Sequence, residues 1–190
     1  MRRYMRNICF AAVLLLLLPV LFSCSSKMSD EEAVTILSEL IPRSYEMNRV
    51  FWGNEIQLED AEAEPLSTVT AAQYYPVDPN GKYTTIDAIK AEAETIFTAE
   101  YLATVYAMAF EGTEDFEPRF KEENGRLCMD ITYQPYDFTT EIDIESAHVI
   151  KTGMGTVQAE LNCTTNGKQG KMTVTICEND GQWYLDSPTY

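Results

Sequence analysis

Apolar residues recur at helical spacing up to about Gly112 and at every second position from Arg119 onward. Few folds accommodate that switch of period. A segment cannot lie as a helix with alternating apolar residues, nor as a half-buried strand with apolar residues three and four apart. Leu127, Met129, Ile131 and Tyr133 fall on one face, and so do Ile142, Ile144, His148 and Ile150. Val157, Ala159, Leu161 and Cys163 make a third set, and Met172, Val174 and Ile176 a fourth. Asn124-Gly125 and Asn179-Asp180-Gly181 are tight-turn signals between such runs, with Trp183-Tyr184-Leu185-Asp186 as the last strand. Helices first and a sheet afterwards predict an α+β fold, with N-terminal helices packed on a C-terminal antiparallel β-meander forming a curved sheet.

The helical half begins at Ser29-Asp30-Glu31-Glu32, a capping box in which Ser29 caps and Glu32 occupies the third helical position. Val34, Leu37, Ile41 and Tyr45 then keep helical spacing to about Trp52, with Pro42 expected to kink or split the helix. Residues 54–73 have no sustained period, apart from a short strand expected around Ile56–Leu58. Tyr74–Asp78 is extended, and Pro79-Asn80-Gly81 is a turn. Two amphipathic helices follow, starting near Thr85 and Thr98, with Gly112 as the stop.

Ahead of all this lies a leader. Arg2, Arg3 and Arg6 precede an apolar run from Ile8 to Phe22. The run is shorter than the roughly 20 residues of a membrane span and suits the central region of a secretory signal. Leu21-Phe22-Ser23-Cys24 resembles the lipobox of bacterial lipoproteins, although Phe22 is bulkier than that pattern prefers. The resemblance implies a signal peptide over residues 1–23, a diacylglyceryl thioether on Cys24 and a lipidated tether over 24–29. One folded α+β domain over 30–190 completes the expected organisation. Cleavage near Ser26 as an ordinary signal, or a short uncleaved anchor, are the alternatives. A diacylated cysteine would anchor stably where one chain would not, placing the protein outside the cytoplasm on a membrane.

Loss of the leader removes three arginines and no acid, so the net charge moves from −16 to −19. A chain this acidic, with no cluster of Lys or Arg, does not bind nucleic acid, but it can steer toward a basic protein. Cys9 lies in the leader. Cys128, Cys163 and Cys177 remain; the strand alternation puts Cys163 and Cys177 on opposite faces, and Cys128 could meet Cys177 only if their strands were adjacent, so three unpaired cysteines are the leading expectation. With no C-x-x-C and a single histidine, no zinc site is expected.

Catalytic chemistry finds little support. His148, the only histidine, follows Ser146 by two residues, yet no nucleophile-elbow sequence is present. It reads as a partly buried, hydrogen-bonded structural residue. Asp130, Asp143 and Glu160 alternate away from the apolar faces and should meet solvent, without the apolar setting a general acid needs. Asp78-Pro79-Asn80-Gly81 lacks the spacing of a calcium loop. No catalytic residue, metal ligand or cofactor is assigned, and the chain is not expected to be an enzyme.

Met47–Gly53, then Tyr74-Tyr75-Pro76-Val77, then the helix pair in TIDAIKAEAETIFTAEYLATVY and the closing GQWYLDSPTY stand in an order that resembles the IseA-type DL-endopeptidase inhibitor family. The resemblance covers roughly Glu31–Tyr190 and implies a cell-envelope protein that binds and blocks a peptidoglycan DL-endopeptidase. No inhibitory residue can be carried over from it. Helices wrapped by a curved antiparallel sheet also resemble the cone-shaped ketosteroid isomerase-like fold. That likeness implies a different function, a module binding a small apolar ligand, with Trp183, Tyr184 and Tyr190 as possible lining.

Overall fold

The computed structural model describes residues 27–64, 71–114, 116–137 and 139–190. The signal region, Cys24 and the first part of the tether lie outside the described residues. Helix α1 spans Asp30–Trp52. The capping box forms as expected, with the Glu32 N–H donating to Ser29 Oγ at 3.2 Å and the Ser29 N–H to Glu32 Oε2 at 2.8 Å. The helix keeps the expected bounds, and Pro42 does not split it in two. Pro42 and Ser38, whose carbonyl loses its partner, are both exposed, so water can meet that carbonyl. On the opposite side Leu37, Leu40, Ile41, Met47, Val50 and Phe51 are buried, and their packing holds the helix on both sides of the proline.

Strand β1 (Tyr74–Pro76) follows, then helices α2 (Ile86–Ala93) and α3 (Ala99–Tyr106). Thr85 and Thr98 cap the two helices as expected, accepting from the N–H groups of Ala88 and Tyr101. The stretch expected to pair around Ile56–Leu58 contributes a single bridge, Leu58 to Val77. Between α2 and α3 the chain locks onto the last strand, where Thr98 N–H donates to Leu185 O at 2.9 Å and Leu185 N–H to Ile96 O at 2.8 Å.

The strands are β2 (Phe120–Glu123), β3 (Arg126–Asp130), β4 (Thr140–Thr152), β5 (Thr156–Thr165), β6 (Lys168–Asn179) and β7 (Gln182–Leu185). The chain is therefore α+β, with helices preceding an antiparallel meander in the order β4-β5-β6-β7. The β2–β3 hairpin is not part of that meander. It forms a second sheet with β1, in the order β1-β3-β2, so both edges of β3 are taken and β4 cannot join it. Nor does β3 run on to Tyr133. The Asp130 carboxylate draws Thr132 N–H out of line, and Pro135 has no N–H to offer a ladder.

In β4 the predicted alternation fails for a local reason. Ile142 and Ile144 face inward, but the strand bulges between Asp143 and His148, and beyond it Ala147 and Val149 face inward instead. Ser146 closes the bulge, its hydroxyl donating to Asp143 O at 2.6 Å and accepting from Asn162 N–H at 2.8 Å. His148 and Ile150 are thereby turned out to solvent. In β5 and β6 the expected faces hold, with Val157, Ala159, Leu161, Val174 and Ile176 buried. The three cysteines are free, as expected.

One apolar cluster joins α1, α2, α3 and both sheets. Two polar attachments fix α1 within it. At its start, Asp30 accepts from Val149 N–H at 2.7 Å on one oxygen and lies 2.9 Å from His148 Nδ1 on the other. Further along, a hydrogen-bond chain runs from Asn48 Nδ2 to Thr189 Oγ1 (3.0 Å), on to Ser44 Oγ (2.7 Å) and to Ile41 O (2.7 Å), all of it buried. This chain pins the C-terminal tail to the helix.

The Val149 N–H, and after it His148, hold the Asp30 carboxyl below its ordinary value of 3.8. A carboxylate with a lowered folded pKa contributes stability above its unfolded value and loses it as pH falls through the folded value. Urea melts of Asp30→Asn should therefore show a deficit against wild type at neutral pH. The deficit should close as the pH drops below about 3.8, the ordinary carboxylate range. A deficit independent of pH would contradict the attachment.

Candidate functional site: an aromatic and acidic cleft

At the far end of α1, Phe51 and Trp52 pack against the turn that follows α3. There α3 widens into a π-type turn, Ala107–Glu111, which leaves Met108 on the surface. Gly112 ends that turn at φ +74°, a conformation that glycine tolerates and other residues resist. The chain then folds back, with Thr113 N–H donating to Phe116 O at 2.8 Å. This return places Glu114, Phe116 and Glu117 opposite the end of β3.

Asp130 ties the far wall together. Its Oδ1 accepts from the N–H groups of Gln73 and Thr132, each at 2.9 Å, and the Thr132 hydroxyl lies 2.8 Å from Oδ1 and 3.0 Å from Oδ2. The sequence reading sent Asp130 to solvent, but it is 8 % exposed. As the last residue of a strand paired on both sides, it is covered by the segment it holds. Asp143 is exposed, as expected.

Together these parts enclose an open cleft of about 540 Å³, with Trp52, Met108, Phe116 and Tyr133 as its apolar surfaces and Glu114, Glu117 and Asp130 as its charges. Among the described residues, none that lines it is basic. Phe116 and Met108 are 48 % and 40 % exposed. Tyr136 and Tyr190 continue the aromatic surface. Tyr136 N–H donates to Trp52 O at 2.8 Å, and the Tyr136 and Tyr190 rings are 5.5 Å apart.

Arg119 stands behind this wall, 3 % exposed, with its guanidinium 4.6 Å from the Tyr133 ring centre and Nη2 donating to Gly53 O. Burial pushes its pKa down to about 10, opposed by Tyr133 and Asp130, so it remains charged at neutral pH. It braces Tyr133 from inside and does not line the cleft. Carboxylates beside open aromatic faces stabilise a cation, both by Coulomb attraction and through the ring quadrupole.

The residues weighed from sequence fall elsewhere. His148 is on open surface, its side chain 68 % exposed and engaged with Asp30, which corrects the expectation of a partly buried residue. Ser146 is committed to the β4 bulge, so the two form no catalytic pair. Trp183, Tyr184 and Tyr190 are dispersed. Trp183 lies in a groove at the start of α1, and Tyr190 lies beside Tyr136. Tyr184 lines a groove of about 470 Å³ between α3 and the β6–β7 edge, with Phe97, Leu102, Tyr106 and Cys177. Asp78-Pro79-Asn80-Gly81 is a turn closed on the Asp78 carboxylate. Among the described residues no cluster of His, Cys, Asp and Glu could hold a metal, and no helix is long and apolar enough to cross a membrane. The sequence reading missed the cleft because its walls come from four separate segments. The available signal was the concentration of aromatic and acidic residues at 114–117 and 130–136.

The cleft depends on Gly112 more than on any turn glycine. Gly125 has a similar φ of +75° but open space where a Cβ would project, whereas a Cβ on Gly112 would sit 2.9 Å from Pro118 Cδ. Gly125→Ala should cost about 1 kcal/mol, the ordinary penalty of a left-handed residue. Gly112→Ala should cost roughly 2–3 kcal/mol, since strain and clash add there. Equal losses in thermal unfolding would contradict the assigned packing. Compared with models of protein families and with curated proteins, the chain matches none.

Proposed function

We propose that this chain is a non-enzymatic binding module, held on the outer side of a membrane by lipid on Cys24, which grips a basic surface of a cell-envelope protein. The IseA-type resemblance makes a peptidoglycan DL-endopeptidase the partner, blocked by occupation. The cleft carries the proposal, because it brings aromatic faces and carboxylates together, with no basic lining among the described residues, on a chain of net charge −16. A lysine or arginine entering it would meet Glu114 and Glu117 at the rim and the rings of Phe116 and Tyr133 on the wall. Interfaces concentrate their energy in such aromatic anchors, while rim charges mainly raise the rate of encounter.

A second reading has an observation of its own. The groove between α3 and β7 is lined by Phe97, Leu102, Tyr106 and Tyr184 and suits a small apolar ligand, the function implied by the resemblance to the cone-shaped fold, although the β4–β7 sheet is not curled. The groove is open to solvent, and β4 and β7 remain separate edges of the meander. These features favour it less than the cleft.

The test is capture from envelope extracts, followed by lysis assays with the captured hydrolase. Tyr133→Ala should weaken inhibition by about 1–2 kcal/mol, roughly a 5- to 30-fold loss in affinity. Glu114→Gln with Glu117→Gln should slow association and flatten its salt dependence. The glutamate changes, both at exposed positions, should alter folding stability by no more than about 0.5 kcal/mol. No hydrolase captured, and lysis unchanged at micromolar protein, would overturn the inhibitor reading.

A further inference from the structure

Large apolar side chains are exposed in two places among the described residues. Met108, Phe116, Tyr133, Tyr136 and Tyr190 gather in and beside the cleft, whereas Ile150 and Met154 stand on the β4–β5 hairpin. Isolated exposed apolar residues are ordinary on protein surfaces. Met154 differs in how it is held and in what lies beside it.

The side chain of Met154 is completely exposed, at 103 %, at the tip of Thr152-Gly153-Met154-Gly155. The tip is a braced turn, in which Gly153 N–H donates to Thr156 O at 2.7 Å and Glu178 N–H donates to Gly155 O at 2.7 Å. Ile150, 50 % exposed, is turned outward on the same hairpin by the β4 bulge. From Ser146 to Ala159 the chain has no acid, although 30 of its 190 residues are Asp or Glu, and Lys151 lies between the two apolar residues.

The chain also enters the fold at this hairpin. Met28 and Ile36 share a groove with Thr152, Gly153, Gly155 and Val157, and Asp30 is bonded to Val149. Cys24 precedes Met28 by four residues, which span at most about 14 Å when fully extended. Acyl chains on Cys24 would therefore hold the bilayer surface within reach of the hairpin tip.

We infer that the β4–β5 hairpin, through Met154 and Ile150, dips into the interface of the bilayer to which Cys24 is anchored, orienting the protein on it. The inference rests on the lipid-anchor part of the proposed function. An acidic body is repelled by an anionic leaflet, so an acid-free apolar tip is the surface suited to contact. Lys151 can place its stem along the acyl region and its ammonium among headgroup phosphates. Glu32 and Glu178, which flank the same groove, limit entry to the tip. With this end down, the cleft stands away from the bilayer. The 23-residue helix α1 separates Asp30 from Trp52 by about 33 Å at 1.5 Å per residue.

The experiment uses the full-length, lipidated protein in phosphatidylcholine–phosphatidylglycerol vesicles, with the photocrosslinker p-benzoylphenylalanine at position 154 and, separately, at position 166 on the opposite end of β5. Flotation with the vesicles and the mass of the N-terminal peptide read the anchor. Lipid adducts at 154 and none at 166 are expected, with the 154 adducts lost when Ile150→Asp is added. Flotation with no lipid adduct at 154, or with protein–protein crosslinks there between two copies, overturns the hairpin's role and leaves the anchor standing. Failure of the wild-type chain to float overturns both.

Discussion

The buried face of helix α1 orders most of the molecule around it, and the carboxylate of Asp30, shared between Val149 N–H and His148, ties the first turn of that helix to β4. Held at its first turn alone, a helix could still pivot, and its last turn would move the furthest. Burial along one face, and the Asn48–Thr189–Ser44 chain further on, hold it to one line. Trp52 consequently arrives beside the end of β3 and the π-type turn after α3. The contacts that brace the cleft wall, Tyr136 N–H to Trp52 O and Arg119 to Gly53 O, are made to the end of this one helix.

On the proposed reading, the cleft would let an acidic chain be specific. Charge alone would attract any basic surface at long range and would be screened over about 8–10 Å at physiological salt. In the proposed complex Glu114 and Glu117 would supply that attraction, and the rings of Phe116 and Tyr133 would discriminate at contact. Asp130 contributes differently. Its hydrogen bonds to Gln73 and Thr132 make it part of the scaffold, although its carboxylate also lends charge to the wall. Arg119 packs against Tyr133 from behind with a cation that does not line the cleft.

How far the sequence could be read follows from the range of each signal. Local signals held: the Ser29–Glu32 capping box, the caps at Thr85 and Thr98, the Asn124-Gly125 turn and the alternation in β5 and β6 all depend on neighbours within a few residues. Pro42 does not split α1, because its local penalty is met on the exposed side and outweighed by long-range burial on the other. The face of His148 was misjudged because a bulge, closed by Ser146 and the distant Asn162, shifts the phase of β4. The division into two sheets was not visible, because whether β3 has a free edge depends on Tyr74–Pro76, far away in the chain. The cleft, assembled from the ends of α1 and β3 and from two connecting segments, is a product of topology, and no spacing rule contains it.

The central claim is that the far end of α1 presents a receptor for cations. It can be addressed without knowing the partner by titrating a short lysine- and arginine-containing peptide into the isotopically labelled protein and following chemical shifts. The account predicts saturable shifts concentrated at Trp52, Phe116 and Tyr133, diminished by salt and by Tyr133→Ala. Shifts spread evenly over the acidic surface, or centred on Phe97, Leu102 and Tyr184 in the other groove, would contradict it.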